Sequence, residues 1–357
     1  MAAMEKNNKN LNVPNLRFPE FSGEWEYHEL QSIAPKISSG KDKPNNEGTV
    51  VLYGSTGIMG HTTTESYKSE IVIVARVGAN AGQLQLVDIP CGVTDNALVV
   101  DAKSWNKYVF YYLQHFNLNK LVFGSGQPLI TGGMLKKIKI WAGNNVERNK
   151  IVHLLSLMEE RIDTQKKIIE KYESLIRGLY HSIFNNPSSI LQLRKVVSVV
   201  KGKQVNGEEL LEEGKYYVMN GGTEPSGYLN EYNTPTDTIS ISEGGNSCGY
   251  VQYNKEPFWS GGHCYSLMPK SENICYRFLY HFLKYKENDI MALRIGSGLP
   301  NIQKKDLERF EVQLPSLERQ REVTTLLDAI SAKRDLEKQL HNVWQSQKQY
   351  LLGSLFI

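Results

Sequence analysis

The sequence has no run of about 20 consecutive apolar residues, the length that a membrane-spanning helix needs. Its start, Met1–Asn12, is polar and rich in Asn and Lys, without the apolar segment of a signal peptide, and is therefore interpreted as a frayed tail within an N-terminal tail and entry segment of residues 1–28. The sequence has four cysteines, which are Cys91, Cys248, Cys264 and Cys275. None of them has the C-x-x-C spacing of a zinc site, which argues against such a site. These absences predict a soluble protein in the cytoplasm, with no membrane segment and no metal.

Motifs of nucleotide-binding and catalytic sites are also missing. The glycines of Gly54–Gly60 lack the lysine and the following helix of a phosphate-binding loop. The segment Asn186–Ser188 approaches the Asn-Pro-Pro-aromatic motif of adenine methyltransferases, but it lacks the second Pro and the aromatic residue. Three histidines are candidate members of a catalytic triad: His153, His263 and His281. None of them has a Ser, Asp or Cys nearby in the sequence that would suggest a triad, although residues distant in the sequence can also form one. We expect no catalytic site and no cofactor bound by this chain.

The composition is that of a globular protein with two domains. The chain has 357 residues, of which 40% are hydrophobic and 22% are charged, which is enough for two separate cores. The formal net charge of +3 is low for a protein that holds nucleic acid unaided. If the chain binds DNA, partners must therefore supply much of the positive charge.

The sequence contains two copies of one plan, and this repeat decides the predicted architecture. Each copy is a Gly-rich segment with strand patterns, followed by a long helical pattern. Five pairs of segments correspond between the copies: Leu30–Ile37 with Leu193–Val200, Val77–Gly82 with Gly244–Gly249, Tyr111–Leu113 with Leu279–Phe282, Gly124–Pro128 with Gly296–Pro300, and Ile183–Phe184 with Leu355–Phe356.

Each copy ends in a predicted coiled-coil helix, because apolar residues recur at spacings of three and four. The first apolar seam, broken only by Gln165, is Leu155, Met158, Ile162, Ile169, Tyr172, Ile176 and Leu179. The second is Leu326, Leu336, Leu340, Val343 and Tyr350, and it is widened by Leu327, Ile330, Trp344, Leu351 and Leu355. Antiparallel pairing of the two helices would form a rod of roughly 58 Å with one domain at each end. The alternative is a pair of core helices in a bundle.

These patterns predict an α+β fold with two β-rich domains in internal repeat, each followed by a long helix. The predicted boundaries are 1–28 for the N-terminal tail and entry segment, 29–145 and 186–315 for the domains, and 146–185 and 316–357 for the helices. The segment Asn185–Ser189 contains Pro187 and separates the two copies.

Polar, aromatic and Gly-rich turns of the two domains are the candidate ligand contacts, because glycine allows close approach and these side chains can reach phosphates and base edges. Plain hairpin turns and solvated charges are the alternative interpretation. The candidates in the first domain are Lys41, Lys43, Tyr53, Ser55, Thr56, His61, Thr62, Arg76 and Asn80. Those in the second domain are Lys201, Lys203, Asn220, Thr223, Tyr228, Asn246 and Tyr250.

The segment Pro14–Phe21, with Trp25 after it, resembles the N-terminal part of the DNA-specificity subunits of type I restriction-modification systems. The resemblance extends over nearly the whole chain, through the Gly-Ser-Gly-x-Pro element of each copy and through Leu314–Gln320, which is similar to the family's run into its C-terminal conserved helix. Val146–Ile151 is the counterpart before the central conserved helix. The chain departs from the family there, because Trp141–Gly143 stands where a Pro-rich segment is usual.

The resemblance implies a non-catalytic subunit that directs adenine methylation and restriction. Each domain would be a target-recognition domain that reads one half of a split, asymmetric target in double-stranded DNA. The helical rod would set the spacer, with reading centres ~34–36 Å apart, and would dock two methyltransferase subunits. S-adenosylmethionine would be used by these partners, and ATP and Mg by restriction and translocase subunits of the complex.

Two alternatives come from other classes of protein. One is a coiled-coil scaffold whose two repeats bind carbohydrate or peptide. The other is a hydrolase, which would need a clustered acid-base pair that the sequence does not reveal.

Overall fold

The computed structural model describes residues 12–121, 128–185, 189–296 and 298–357. The start of the predicted tail, Gly124–Gln127 of the first Gly-Ser-Gly-x-Pro element, Asn186–Ser188 and Ser297 lie outside the described residues.

In its described residues, 26–121 and 128–142, the first domain contains nine strands and three short α-helices. Its elements are β1 (Glu26–Glu29), α1 (Leu30–Ile33), β2 (Lys36–Ser39), β3 (Val50–Gly54), β4 (Gly57–Thr62), β5 (Ile71–Ala75), β6 (Leu84–Val87), β7 (Cys91–Val93), β8 (Ala97–Asp101), α2 (Asn106–Phe116), α3 (Gly132–Lys136) and β9 (Lys139–Ala142). The helix α4 (Asn145–Phe184) follows.

The second domain, residues 189–314, repeats this plan. Its elements are β10 (Ser189–Gln192), α5 (Leu193–Val196), β11 (Val197–Lys201), β12 (Tyr216–Met219), β13 (Tyr228–Leu229), β14 (Thr238–Ser242), β15 (Val251–Asn254), β16 (Trp259–Ser260), β17 (Cys264–Pro269), α6 (Tyr276–Tyr285), α7 (Glu287–Met291), α8 (Lys304–Arg309) and β18 (Glu311–Leu314). The helix α9 (Leu317–Leu355) follows.

The two domains have the same sheet topology. A four-stranded sheet has the order β2-β8-β5-β6 in the first domain and β11-β17-β14-β15 in the second. A three-stranded sheet has the order β4-β3-β7 and β13-β12-β16, and a two-stranded sheet pairs β1 with β9 and β10 with β18. The predicted α+β fold with two β-rich repeats, each followed by a long helix, is therefore confirmed.

Both central strands are buried along their whole length, which explains why they are continuous apolar or small-residue runs. The strand β5 has the sequence IVIVA and β14 has TISIS, and every residue of both is buried. The strands β2 and β11 are each followed by a glycine at a close approach. A Cβ on Gly40 would clash with the carbonyl oxygen of Val93, and one on Gly202 would clash with that of Gly261. The repeat thus extends to single backbone contacts.

The chain divides into two compact units, and each contains one domain with segments of both long helices. The first unit contains residues up to Lys166 together with Leu340–Ile357, and the second contains Lys167–Gln339. The helices α4 and α9 have 40 and 39 residues.

In the first unit, the end of α9 packs into the core of the first domain. Leu351, Leu352, Leu355 and Phe356 are buried in the same cluster as α2, and the Phe356 ring lies 5.4 Å from the ring of Tyr108. Lys348 donates to the carboxylate of Glu159 (Nζ···Oε1 2.6 Å), and Arg161 lies over the ring of Trp344. From the first of these contacts to the second, the residue number increases on α4, from 159 to 161, and decreases on α9, from 348 to 344. The two helices are therefore antiparallel in this unit.

In the second unit, the same two helices pack against the second domain through different residues. Lys338 pairs with Glu173 (2.7 Å), while Phe184 shares a buried cluster with Val323 and Leu327. The direction is again antiparallel. The ring of Phe184 also lies 5.4 Å from that of Phe282 on α6, which joins the helix pair to the domain core.

The α4 seam predicted from the sequence lies on the inner face of its helix. Leu155, Met158 and Ile176 are buried, with at most 8% of each residue exposed. The remaining predicted positions are partly buried: Ile162, Ile169, Tyr172 and Leu179.

The α9 seam differs from the prediction, which is wrong for four of its five positions. The exposed fractions are 46% for Leu326, 62% for Leu336, 59% for Val343 and 66% for Tyr350, whereas Leu340 is partly buried. The inner face is the neighbouring row, in which Leu327, Leu351 and Leu355 are buried and Ile330 and Trp344 partly buried. This row lies inside because Leu327 is buried in the core of the second domain, and Leu351 and Leu355 are buried in the core of the first domain.

Candidate nucleic-acid interface

A cavity of about 660 Å³ lies in the second domain, where the ends of several strands meet. It collects three of the predicted contact residues, Lys201 at the end of β11, Asn220 after β12 and Asn246 after β14. The same cavity is lined by Glu243 and His263, which were not among the predicted contacts. The structure therefore brings together side chains from four separate segments of the chain.

The backbone around Glu243 is fixed by hydrogen bonds on both sides. Its N–H donates to the carbonyl of His263 (2.8 Å), and its own carbonyl accepts from the N–H of Ile302 (2.8 Å). Two residues later, Gly245 has a φ of +76°, a conformation that favours glycine, and its N–H donates to the carbonyl of Pro300. The loop therefore holds the Glu243 side chain in a defined direction.

One oxygen of the Glu243 carboxylate is occupied. Its Oε1 accepts from Lys201 Nζ (2.6 Å) and from the hydroxyl of Tyr265 (3.0 Å). Burial, followed by the nearby Glu243 charge, raises the pKa of Tyr265, so this hydroxyl remains a neutral donor. Its Oε2 is buried and has no hydrogen-bond partner among the described residues, and His263 Nδ1 lies 3.8 Å away. This cavity therefore contains both an exposed ammonium group and an acceptor oxygen.

The other predicted residues of the second domain are dispersed. Lys203 and Thr223 are exposed, and Tyr228 is partly buried in β13. Tyr250 lines a different cavity of about 1080 Å³, where its ring lies 4.0 Å from Lys284 Nζ. The sequence prediction did not distinguish these two places.

In the first domain, Ser55 and Arg76 are brought together by Asn96. The carbonyl of Asn96 accepts from the Ser55 hydroxyl (2.5 Å) and from the N–H of Arg76 (3.0 Å). Asn80 lies in the turn that follows, where its Oδ1 accepts from the side-chain amide of Gln83 (2.9 Å). Three predicted contacts thus lie within one group of turns after β3 and β5.

The remaining predicted residues of the first domain lie along its surface, with one exception. Lys41, Lys43, Thr56 and His61 are exposed, and Tyr53 is partly buried in β3. Thr62 is 3% exposed, and its hydroxyl accepts from the N–H of Thr64 (3.4 Å). Its inclusion among the DNA contacts is therefore corrected, because the whole Thr62 side chain is buried at the end of β4 and its hydroxyl already has a hydrogen-bond partner.

Other sites are limited in the part of the chain that the structure describes. No group of three or more His, Cys, Asp or Glu side chains there could hold a metal ion. None of the helices in the same residues is both long and apolar enough to cross a membrane.

The repeat itself could have identified Glu243. The correspondence of Val77–Gly82 with Gly244–Gly249 places Arg76 opposite Glu243. The carboxylate was missed because a single glutamate after a strand has no pattern that distinguishes it from a solvated charge.

Comparison with known proteins gives concordant matches over both copies. The sequence profile of the family described as type I restriction modification DNA specificity domain matches residues 22–174 and 187–343. A protein of Mycoplasma genitalium described as a type I specificity subunit is 27% identical over 314 residues, which cover 82% of each chain. The MjaVIII type I restriction enzyme specificity subunit of Methanocaldococcus jannaschii is 23% identical over 326 residues, covering 78% of this chain and 76% of that protein.

The fold is also found among solved structures. The crystal structure of the S subunit of a type I restriction-modification system from M. genitalium has a TM-score of 0.77 at 23% identity. The match covers 97% of this chain and 99% of that chain. The likeness therefore includes both domains and both long helices.

Proposed function

The chain belongs to the type I restriction-modification DNA specificity family, and we propose that it is the DNA-reading subunit of a type I restriction-modification complex. The observation that carries this proposal is the family match to both copies, each of which folds into one complete β-rich domain. The proposal includes a cytoplasmic location, because the DNA that is read lies there.

Each domain is proposed to read one half of a split and asymmetric target. The common topology supports two equivalent positions for DNA, while the different side chains at these positions support two different sequences. Lys201 in the second domain and Lys41 in the first are exposed ammonium groups suited to phosphates, and Asn220 and Asn246 offer amides to base edges. The long helices would set the number of unread base pairs between the two halves.

The methyltransferase subunits are proposed to dock on the outer side of α9. In the first unit, Val343 and Tyr350 are exposed on this helix at a spacing of seven residues, and in the second unit Leu326 and Leu336 are exposed. Large exposed apolar side chains on one face of a helix, here seven residues apart in the first unit and ten apart in the second, are typical of a face that packs against another helix. One apolar group in each unit is consistent with two copies of the partner.

Catalysis is proposed to reside in the partners. The methyltransferase subunits would bind S-adenosylmethionine, and the restriction and translocase subunits would use ATP and Mg. This chain would bind none of them, and its contribution would be sequence recognition and assembly.

A domain exchange tests the division of the target. Residues 30–140 of the full chain are replaced by the same domain of a relative with a different target, and the chimera is expressed with the modification subunits. Sequencing of methylated adenines should show one changed half-site, with the other half and the spacer length retained. The reciprocal exchange of 186–315 should change the other half. A continuous motif, or a change of both halves in one chimera, would contradict the proposal.

A pair of matched valines tests the docking surface. Val343→Lys places a charge in the proposed interface, whereas Val146→Lys changes an equally exposed valine, 66% against 59%, at the start of α4. Val343→Lys should reduce co-purification with the modification subunit, and Val146→Lys should not. Equal retention by the two variants would exclude this face of α9.

A further inference from the structure

The position directly after the central strand carries opposite charges in the two domains. Arg76 follows β5 and Glu243 follows β14. The neighbouring residues of the two domains correspond one by one, but the Arg76 side chain can only donate hydrogen bonds and the Glu243 carboxylate can only accept them.

The backbone hydrogen bonds show that the two positions are equivalent. The N–H of Arg76 donates to Asn96, and that of Glu243 donates to His263. The carbonyl of Arg76 accepts from Ile130, and that of Glu243 from Ile302.

The turn that follows is held in the same way in both domains. The N–H of Gly78 donates to the carbonyl of Pro128 (3.1 Å), and that of Gly245 to the carbonyl of Pro300 (3.0 Å). Both glycines have a positive φ, +79° and +76°. Different side chains are therefore presented from one backbone frame.

Both side chains have hydrogen-bonding capacity that the described residues do not fill. Glu243 Oε2 and Arg76 Nε are buried atoms with no hydrogen-bond partner among the described residues. The Arg76 guanidinium does reach the carbonyl of Asp95, but at 3.5 Å (Nη1···O), which is a weak contact. A buried polar atom without a partner is costly, and because Glu243 and Arg76 are each only partly buried as whole residues, a ligand at the surface can supply that partner.

We propose that this position is a base-reading position of each domain, with Glu243 accepting a hydrogen bond from the exocyclic amino group of a cytosine and Arg76 donating to a guanine. A carboxylate only accepts, which suits the cytosine amino group in the major groove, whereas a guanidinium donates to guanine O6 and N7. Lys201 and Tyr265 hold the other oxygen of Glu243, so the carboxylate is oriented before DNA binds. The inference rests on the proposed function and adds the bases read.

The test uses the full chain in complex with its modification subunits and a library of random-sequence DNA duplexes. The wild-type complex should select a split motif with a cytosine in one half and a guanine in the other. Glu243→Gln keeps the size and the acceptor towards Lys201 but adds an amide donor, which suits adenine. It should reduce the preference for that cytosine about tenfold or more and leave the other half unchanged.

Arg76→Lys is the corresponding change in the first domain. It retains the charge but loses the planar fork that binds guanine with two hydrogen bonds, so the guanine preference should fall while overall affinity changes less. Glu272→Gln alters an exposed glutamate of the second domain and is the matched control, which should leave both halves unchanged. Thermal unfolding of each variant shows whether a loss of selection comes from loss of fold.

The outcomes separate this inference from the proposed function. If the wild-type complex selects no sequence, the proposed function itself fails. If it selects a split motif and folded Glu243→Gln and Arg76→Lys select the same bases, Glu243 only orients Lys201 and the base-reading inference is overturned. A change at one base of one half for each variant supports it.

Discussion

The two domains have the same strand pairings, yet they attach their aromatic helix to the long helices by different chemistry. In the first unit, the hydroxyl of Tyr111 on α2 donates to Glu159 on α4 (2.9 Å), which Lys348 on α9 also binds. In the second unit the carboxylate is on α9 instead, where Asp328 accepts from Arg277 and His281 of α6. The polar contacts are thus replaceable, while the buried apolar surfaces preserve the fold.

The network of the second unit extends to α4 through a histidine. A carboxylate can only accept, so His281 Nε2 donates to Asp328 (2.8 Å), and His281 Nδ1 forms a hydrogen bond with the Tyr180 hydroxyl (2.9 Å). His281 is 1% exposed, so its ring orientation is fixed by these two bonds. In the first unit a tyrosine contacts the carboxylate directly, whereas in the second unit His281 lies between the tyrosine and the carboxylate.

The largest effect is expected from a substitution in the apolar core, which tests whether apolar burial contributes more to the stability of the fold than the polar contacts do. Leu327→Ala removes a fully buried side chain from the second unit's core and should lower the free energy of unfolding by about 2–5 kcal/mol. Leu326→Ala changes the neighbouring residue, which is 46% exposed, and should change it by less than about 0.5 kcal/mol. Urea unfolding of the full chain, followed by circular dichroism, measures both variants. Equal losses would mean that the inner face of α9 has been assigned to the wrong row.

The same two leucines show how far the sequence could predict the helices. On α4, only one row of apolar residues continues through the helix, with Gln165 as its single interruption, and this row lies inside. On α9, both neighbouring rows contain apolar residues and polar interruptions, Lys333 and Gln347 in one and Arg334 and Glu337 in the other. Periodicity therefore predicts the helix, but only tertiary packing selects the row.

The candidate interface was predictable only in part, for a related reason. Lys201, Asn220 and Asn246 could be selected from the sequence because polar residues beside glycines are typical of exposed turns. Thr62 fits the same pattern but is buried, because the sequence does not show which face of β4 packs inward. That Glu243 meets Lys201 depends on pairing between distant strands, β11 with β17 and β17 with β14.

A smaller effect is expected from the carboxylates that distinguish the two units. Burial alone would raise the pKa of Asp328, but the hydrogen bonds from His281 and Arg277 outweigh it and hold the pKa at about 2. The folded pKa is below the ordinary value of 3.8, so Asp328 contributes stability above about pH 4 that is lost as the pH falls towards 2. Because the side chain is 34% exposed, screening reduces this contribution to about 1 kcal/mol.

Asp328→Asn should therefore destabilise the protein near pH 7 and lose that difference near pH 2. Unfolding midpoints of the variant and the wild type, compared at intervals from pH 2 to pH 7, measure the change. Glu159→Gln is the matched variant in the first unit, where it removes the charge that Lys348 binds. A difference between Asp328→Asn and wild type that stays constant with pH would show that the carboxylate charge has no part in the second unit's stability.

The smallest effect is expected from replacing the single glycine that each long helix contains near its C-terminal end. A Cβ on Gly178 of α4 or on Gly353 of α9 would meet no heavy atom within 4 Å, so neither glycine is required by packing. Alanine restricts the unfolded chain more than glycine does, and Gly178→Ala should raise the free energy of unfolding by about 0.5–1 kcal/mol. Gly353 lies two residues before the end of α9, where the last turn has fewer helical hydrogen bonds to stabilise, so Gly353→Ala should gain less. Urea unfolding of the two variants measures the difference, and a loss of stability in Gly178→Ala would mean that this helix needs the flexibility of glycine there.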